Sequence, residues 1–574
     1  MPAVRRARDG VSGDQAGLAQ GDEPAEPGGT AGLGRRLRSM SPAGLAILAA
    51  TVLALALRLF LVTRPGFLTS GNVEYDDGVY LGAALRLLHG ALPYKDYAFV
   101  QPPGIIVVAL PGALVGSLTS QATGLAVARV LSVLASTACV PLAGRLVRHR
   151  GALACAVAAG LLAVYPADVL SGRTLLLEPW MNLACLIAAN LAFREGRLAS
   201  PRWLAWAGVA FGLGVAIKIW AAFPAAVLLA ACLITRPPAE TSRAKRAGAL
   251  AGGAVGGFAV LAGPFALADP SGFIHQTLLY QVSRDGTSTA ISSRLAYLTG
   301  LIDVLGRDGK VAAPGTTSHS LFALGAEAST HTAAVGWPAF AAAAVGIALI
   351  AAGYLRGLRQ RTPLEWFALV TAVLATVAIM GYSAFFYHYP DFPAPWIAIT
   401  VGAAVQSLAC LIRGPARRAR LARRVLAAAV AVVIVAIAGI EAREVYPAHA
   451  PASPANVSAL VPAGSCLVAD QVSFAIAANR FEAPSPGCPD LVDSLAATLA
   501  LSGGVSPQGG AGRAPNVVAG WEAIFGQARY VWLSGNANTR IPWTPALQSW
   551  FSSHFRLLAA YPHYGASSLY VRDH

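Results

Sequence analysis

The chain is a long series of apolar runs, and short clusters of Arg and Lys gather at every second break between them. The basic breaks hold Arg35, Arg36 and Arg38; then Arg145, Arg148 and Arg150; Arg194 and Arg197; Arg236, Arg243, Lys245 and Arg246; Arg356, Arg359 and Arg361; and finally the arginines of 413–424. Positive residues stay on the cytoplasmic side of a membrane, so this alternation describes a chain threaded back and forth through a bilayer. Water cannot cover the alternative. With 55% hydrophobic and 12% charged residues, 574 residues do not make an ordinary soluble globule. The runs are too many for one anchored enzyme or for a cleaved signal peptide on a soluble body. The net charge of +15 sits at run ends rather than on one soluble face, which argues against a nucleic-acid binder.

The register follows from the charges. Residues 1–42 are polar and rich in Gly, Pro, Ala and Arg without apolar periodicity, and read as a disordered cytoplasmic tail. A first span covers 43–62, after which 63–122 forms an outer loop with short helices of its own. The apolar stretch 105–118 contains Pro111 and is short for a crossing, so it reads as a re-entrant or interfacial helix. Counting it as a span would invert every later basic cluster. Further spans are expected at 123–142, 152–165, 179–193, 203–219, 221–234, 248–267, 334–355, 364–381, 395–412 and 425–440, with a long outer loop at 269–332. This gives about eleven crossings of a polytopic α-helical membrane domain over 43–445, N-terminus inside and C-terminus outside.

Residues 446–574 contain no spanning run and read as a small extracytoplasmic α+β domain. Leu467-Val468-Ala469, Tyr530-Val531-Trp532-Leu533 and the 567–572 stretch have strand character, and 473–479 reads as a short helix. Five cysteines, at 139, 155, 185, 232 and 410, lie in apolar spans as small core residues. Cys466 and Cys488 share the outer domain, where an oxidising compartment favours a disulfide between them.

Chemistry concentrates in the first outer loop. Glu74, Asp76 and Asp77 stand within four positions just past the outer end of a span. They are either a solvated acidic loop or carboxylates facing a polar cavity at the membrane edge, where charge is costly unless it is used. A carboxylate there is suited to take the proton of an acceptor hydroxyl attacking a sugar's anomeric carbon, with its neighbours holding the acceptor or a divalent metal at Asp76 and Asp77. In the loop 382–391, Tyr387 and His388 offer hydrogen bonds to a sugar or phosphate group, although His388 is equally readable as a polar-interface residue.

The segments Tyr75-Asp76-Asp77-Gly78-Val79-Tyr80, Leu88-His89-Gly90-Ala91-Leu92-Pro93-Tyr94 and Gln101-Pro102-Pro103-Gly104 resemble the first outer loop of the GT-C superfamily. The likeness is to the protein O-mannosyltransferase and aminoarabinose-transferase group and its actinobacterial relatives. It spans roughly residues 45–400 and implies a GT-C-like fold in which Asp76 holds the catalytic position. Asp77, a second catalytic candidate, stands where many members carry Glu. Gln101 is a substrate-binding candidate from the same loop, as is Glu74. The resemblance further implies that Glu178, in Arg173-Thr174-Leu175-Leu176-Leu177-Glu178, faces the same cavity; its plainer reading is a helix-start acid favoured by the dipole. It also implies that Lys218 contacts a lipid phosphate and offsets leaving-group charge, against the plainer reading of a snorkelling lysine.

No Walker pattern or dinucleotide-type glycine fingerprint appears, and the outer side of a plasma (inner) membrane has no nucleotide-sugar pool. The expected donor is therefore a polyprenyl-phosphate-linked sugar and the expected acceptor a cell-envelope polysaccharide, glycolipid or protein. A polyprenyl-lipid flippase or transporter would share the topology, but would carry paired charges at mid-span and often repeat symmetry. A sensor working through the outer domain would need no Asp76 loop.

Overall fold

The computed structural model describes residues 39–237, 241–282, 289, 291–299, 345–346, 348–358, 361–412, 414–445, 451–481 and 487–573. Residues 1–38 of the tail expected at 1–42, most of the loop 269–332 and the first half of the span expected at 334–355 lie outside the described residues.

The first helix, α1 (Pro42–Val62), begins where the side chain of Ser41 accepts from the Gly44 N–H at 3.2 Å, with Pro42 in the first turn where its missing N–H costs nothing. After an outer segment come α2 (Tyr75–Leu88), α3 (Gly104–Leu118) and α4 (Gln121–Leu146). Then follow α5 (Ala152–Ala163), α6 (Pro166–Ser171), α7 (Leu177–Ala192), α8 (Pro201–Ile217), α9 (Ala222–Ile234) and α10 (Arg243–Ala268). The membrane part ends with α11 (Pro363–Gly381), α12 (Ala394–Ala409) and α13 (Ala416–Val445). Of these, α1, α4, α10, α11 and α13 are long and apolar enough to cross a bilayer unaided. The 15 residues of α3 reach only about 22 Å, short of a ~30 Å hydrocarbon core. Bulky apolar side chains face outward, with Leu267 82%, Val260 78% and Ile234 76% exposed. Such a surface is stable against lipid tails and not against water, and the protein is a multi-pass membrane protein.

Two contacts organise the bundle. At one end, Arg148 donates to Ser41 at 3.5 Å, Arg150 pairs with Glu365 at 2.5 Å, and the Leu364 N–H donates to Gly196 O at 3.2 Å. Four of the basic or helix-start breaks are thereby gathered on one side. In the middle, α8 and α10 cross backbone to backbone. A Cβ on Gly208 would meet Leu250 O at 2.1 Å, on Gly212 Ala254 O at 2.2 Å, on Gly253 Ala205 O at 2.0 Å and on Gly257 Val209 O at 2.3 Å. Each helix therefore sets two glycines, four residues apart, against the other's main chain.

The C-terminal domain is a four-stranded sheet with helices. Strands β1 (Leu467–Ala469), β2 (Tyr530–Leu533), β3 (Phe555–Tyr561) and β4 (Ser567–Arg572) lie in the order β1-β2-β4-β3. The β1-β2 pair is parallel and the rest antiparallel. Helices α14 (Val472–Ala477), α15 (Ser494–Ser502), α16 (Pro515–Gln527) and α17 (Pro545–His554) cover it. A core of Trp521, Phe525, Val531, Leu547 and Phe551 fills the space beneath. Cys466 and Cys488 are disulfide-bonded, 22 residues apart.

Candidate active site

Glu74 is the N-cap of α2, its carboxylate accepting from the Tyr75 N–H at 2.9 Å, and Asp76 and Asp77 occupy the first turn, where the helix dipole favours negative charge. Successive residues on a helix diverge by about 100°, so the three carboxylates reach different surroundings. Glu74 turns its second oxygen to the Tyr387 hydroxyl, which donates to it. Asp77 is fully buried, bound by Nε of Arg129 at 2.9 Å and by Nη2 of the same guanidinium, and it accepts from the Leu175 N–H at 2.5 Å. Asp76 is only half-buried and accepts a single hydrogen bond from the Tyr80 hydroxyl at 3.1 Å, one turn on. Burial, with the neighbouring Glu74 charge adding to it and His388 opposing it, raises Asp76 to about 7.

The two carboxylates expected as a catalytic pair stand in different surroundings. Both its oxygens are engaged by Arg129 and a backbone N–H, so Asp77 ties α2 to α4 and leaves Asp76 alone with an open side. A divalent ion bridging Asp76 and Asp77 does not fit, because it would have to displace the buried Arg129. Among the described residues no group of three His, Cys, Asp or Glu side chains converges as a metal site.

A second cluster forms around Glu178 in the first turn of α7. Its Oε1 is paired with Nζ of Lys218 and lies 2.9 Å from Nδ1 of His388, all three groups being buried. Lys218 caps the C-terminus of α8, the favourable end for a cation, and its Nζ lies 4.0 Å from the Trp220 ring centroid and 4.5 Å from that of Tyr389. Its ammonium is buried and paired rather than free. The two clusters are electrostatically linked, since His388 acts on Asp76, and Glu178 acts on the Tyr80 that hydrogen-bonds Asp76. Gln101 contributes its carbonyl to the Tyr94 hydroxyl at 2.6 Å; its side chain makes no hydrogen bond among the described residues.

Beneath these lies a polar layer that sequence reasoning missed. Arg58, fully buried in α1, is paired with Asp168 and donates to Ser136 at 2.7 Å and to Ala163 O at 3.0 Å. Asp391, a neighbouring buried carboxyl, accepts from Ser171 at 2.5 Å and from Asn182 at 3.1 Å. Burial raises both carboxyls, and the nearby Asp168 charge raises Asp391 further. The signal was present: Arg58 and Arg129 are charges inside apolar spans, which rarely stand there unpaired.

Residues 117–279 match the family model described as dolichyl-phosphate-mannose-protein mannosyltransferase. That stretch includes Arg129, Glu178 and Lys218 but begins after Asp76. Among solved structures, ArnT from Cupriavidus metallidurans bound to undecaprenyl phosphate superposes with a TM-score of 0.53 at 15% identity, covering 92% of this chain and 97% of that one. The oligosaccharyltransferase of Archaeoglobus fulgidus in its apo form gives 0.52 at 14% identity, covering 89% and 72%. The same enzyme tethered to an acceptor peptide gives 0.50 at 15%, covering 92% and 74%. No curated protein matches by sequence. This multi-pass membrane protein thus shares the fold of these solved structures, and its residues 117–279 are similar to the dolichyl-phosphate-mannose-protein mannosyltransferase family.

Proposed function

We propose that the protein transfers a sugar from a polyprenyl-phosphate carrier to a hydroxyl of a cell-envelope acceptor, with Asp76 as general base. One observation carries this reading. Of the three clustered carboxylates, Asp77 is held by Arg129 and the Leu175 N–H and Glu74 by Tyr387 and the Tyr75 N–H, whereas the half-open Asp76 accepts only from Tyr80 of its own helix and is held near neutrality by burial. A base is most effective when its pKa lies near the working pH. Asp76 takes the acceptor's proton as the acceptor oxygen bonds to the anomeric carbon, and the bond from that carbon to the carrier's phosphate oxygen breaks. The phosphate leaves with the bonding electrons. Lys218 and His388, gathered by Glu178, supply positive charge and a hydrogen-bond donor on the leaving-group side. The bound undecaprenyl phosphate in the similarly folded ArnT structure supports a lipid-phosphate donor of this kind.

The reading includes a location: the plasma (inner) membrane, with about eleven crossings, the N-terminus inside and the active site and C-terminal domain outside. It is supported by the basic breaks that meet at one end of the bundle, around Arg150 and Glu365, and by the disulfide of the C-terminal domain, which suits an oxidising compartment. The domain boundaries near 43 and 446 belong to the same reading.

The test uses purified protein in liposomes, offered undecaprenyl-phosphate pentoses and hexoses with a cell-envelope fraction as acceptor, and follows release of undecaprenyl phosphate. Release by the wild type that falls about 10²- to 10⁴-fold in Asp76→Asn supports the proposal. Full turnover in Asp76→Asn rejects Asp76 as the base. Transbilayer movement of the lipid without sugar release favours a flippase.

A further inference from the structure

The two residues that flank Asp76 at the start of α2 are bound to different bodies. Asp77 is fixed to the bundle through Arg129 and Leu175, whereas Tyr75, on the other side of Asp76, is fixed to the C-terminal domain. Its hydroxyl donates to Asp493 Oδ1 at 2.8 Å and accepts from the Ser494 N–H at 3.1 Å. The guanidinium of Arg540 lies 3.9 Å above its ring and is itself held by Asp470 at 2.7 Å; Asp470 in turn binds the Ser534 hydroxyl at 2.7 Å. Segments beginning at β1, α15 and β2 thus converge on one aromatic ring.

The rest of the seam is just as close. Gly71 O accepts from the Ser473 hydroxyl at 2.6 Å and from the Gln471 amide at 3.0 Å, and the Gly71 N–H donates to the Tyr564 hydroxyl at 2.9 Å. A Cβ on Gly78 would lie 2.1 Å from Ser473 N, so the first turn of α2 presses directly on the domain's main chain. Two turns further, Arg86 pairs with Asp490 at 3.1 Å and lies 4.7 Å from the Phe481 ring centroid. Every one of these partners lies beyond residue 460.

We infer that the C-terminal domain is part of the catalytic apparatus, Tyr75 being a positioning residue through which Asp493 and Arg540 fix the direction of Asp76. The inference rests on the proposal that Asp76 is the base. The domain acts here as a second jaw: the bundle grips α2 through Asp77, the domain grips it through Tyr75, and the carboxylate between them is left with one orientation. A side chain that must meet an incoming hydroxyl within a few tenths of an ångström gains from having no other rotamer to visit.

The experiment uses full-length protein in detergent or liposomes, with Tyr75→Phe and Asp493→Asn, and reads two quantities. Amide hydrogen exchange in the peptide covering 75–88 is expected to accelerate about tenfold in either variant, with the peptide covering 121–146 unchanged. In the undecaprenyl-phosphate-sugar assay, kcat is expected to fall about tenfold while KM for the lipid donor stays put. Unchanged exchange across 75–88 in both variants overturns the inference whatever the activity. Faster exchange with undiminished kcat, in a protein that Asp76→Asn inactivates, also overturns it while leaving the general-base proposal standing. If Asp76→Asn itself keeps turnover, the general-base reading fails and the catalytic part of the inference falls with it; the exchange arm then decides only whether the domain holds α2.

Discussion

Asp76 and Asp77 are chemically the same side chain, one position apart, and the structure gives them opposite properties. Asp77 is bound to a buried guanidinium, and Asp77→Asn leaves Arg129 without its carboxylate partner. The expected result is a loss of about 3–5 kcal/mol in stability, measured as a drop in unfolding temperature of the purified protein. Asp76→Asn removes no such bond and is expected to leave that temperature nearly unchanged while turnover collapses. The pH dependence separates them further. Because burial and the Glu74 charge hold Asp76 near 7, turnover is expected to rise with pH through about 7 as the base loses its proton. Glu74→Gln removes a raising influence, so the same rise moves to lower pH; a pH–rate profile of the two proteins checks the sign. The acidic trio was legible in the sequence because its position past a span makes charge conspicuous. Its division of labour was not, since it depends on Arg129, 52 residues away, and on a hydroxyl at Tyr387, 313 residues from Glu74.

At the scale of elements, the helices were legible wherever an apolar run had a polar break at each end, as α1, α4 and α11 do. The C-terminal strands around Leu467, Tyr530 and Ser567 were legible from their apolar character. Strand β3 was not, because Phe555–Tyr561 alternates weakly and takes its place from pairing with β4. The paired glycines of α8 and α10 also escaped notice, since in a chain with 58 glycines a spacing of four stands out only when the partner helix is known. They yield a sharp contrast. Gly257→Leu puts a side chain where Val209 O lies 2.3 Å from the built Cβ, whereas a Cβ on the adjacent Gly256 meets nothing within 4 Å. The first substitution is expected to cut the yield of monodisperse protein on size exclusion severely and the second to leave it near wild type.

For the whole molecule, the proposed topology rests on the clustering of basic residues at every second break, which requires no contact information. A maleimide-accessibility experiment on intact cells tests it. A cysteine at 95, in the outer loop, is expected to react with a membrane-impermeant reagent, and one at 148 only after permeabilisation; reaction of both from outside rejects the register. The attachment of the outer domain was not readable in this way, because its partners are single residues such as Tyr75 and Asp493 with no local pattern. Cys466→Ser with Cys488→Ser opens a 22-residue loop in that domain and is expected to lower its stability by about 3 kcal/mol, read by thermal unfolding.

The glycine crossing of α8 and α10 has a mechanical consequence. Side chains between two helices act as cushions, since rotamers can change to absorb a shift; main chain against main chain has no such slack. Lys218 caps the end of α8, so its ammonium inherits the rigidity of that joint. A lipid tail sliding along the outer face of α10 would meet a strut rather than a spring, and the charge proposed to meet its phosphate would stay where the backbone put it.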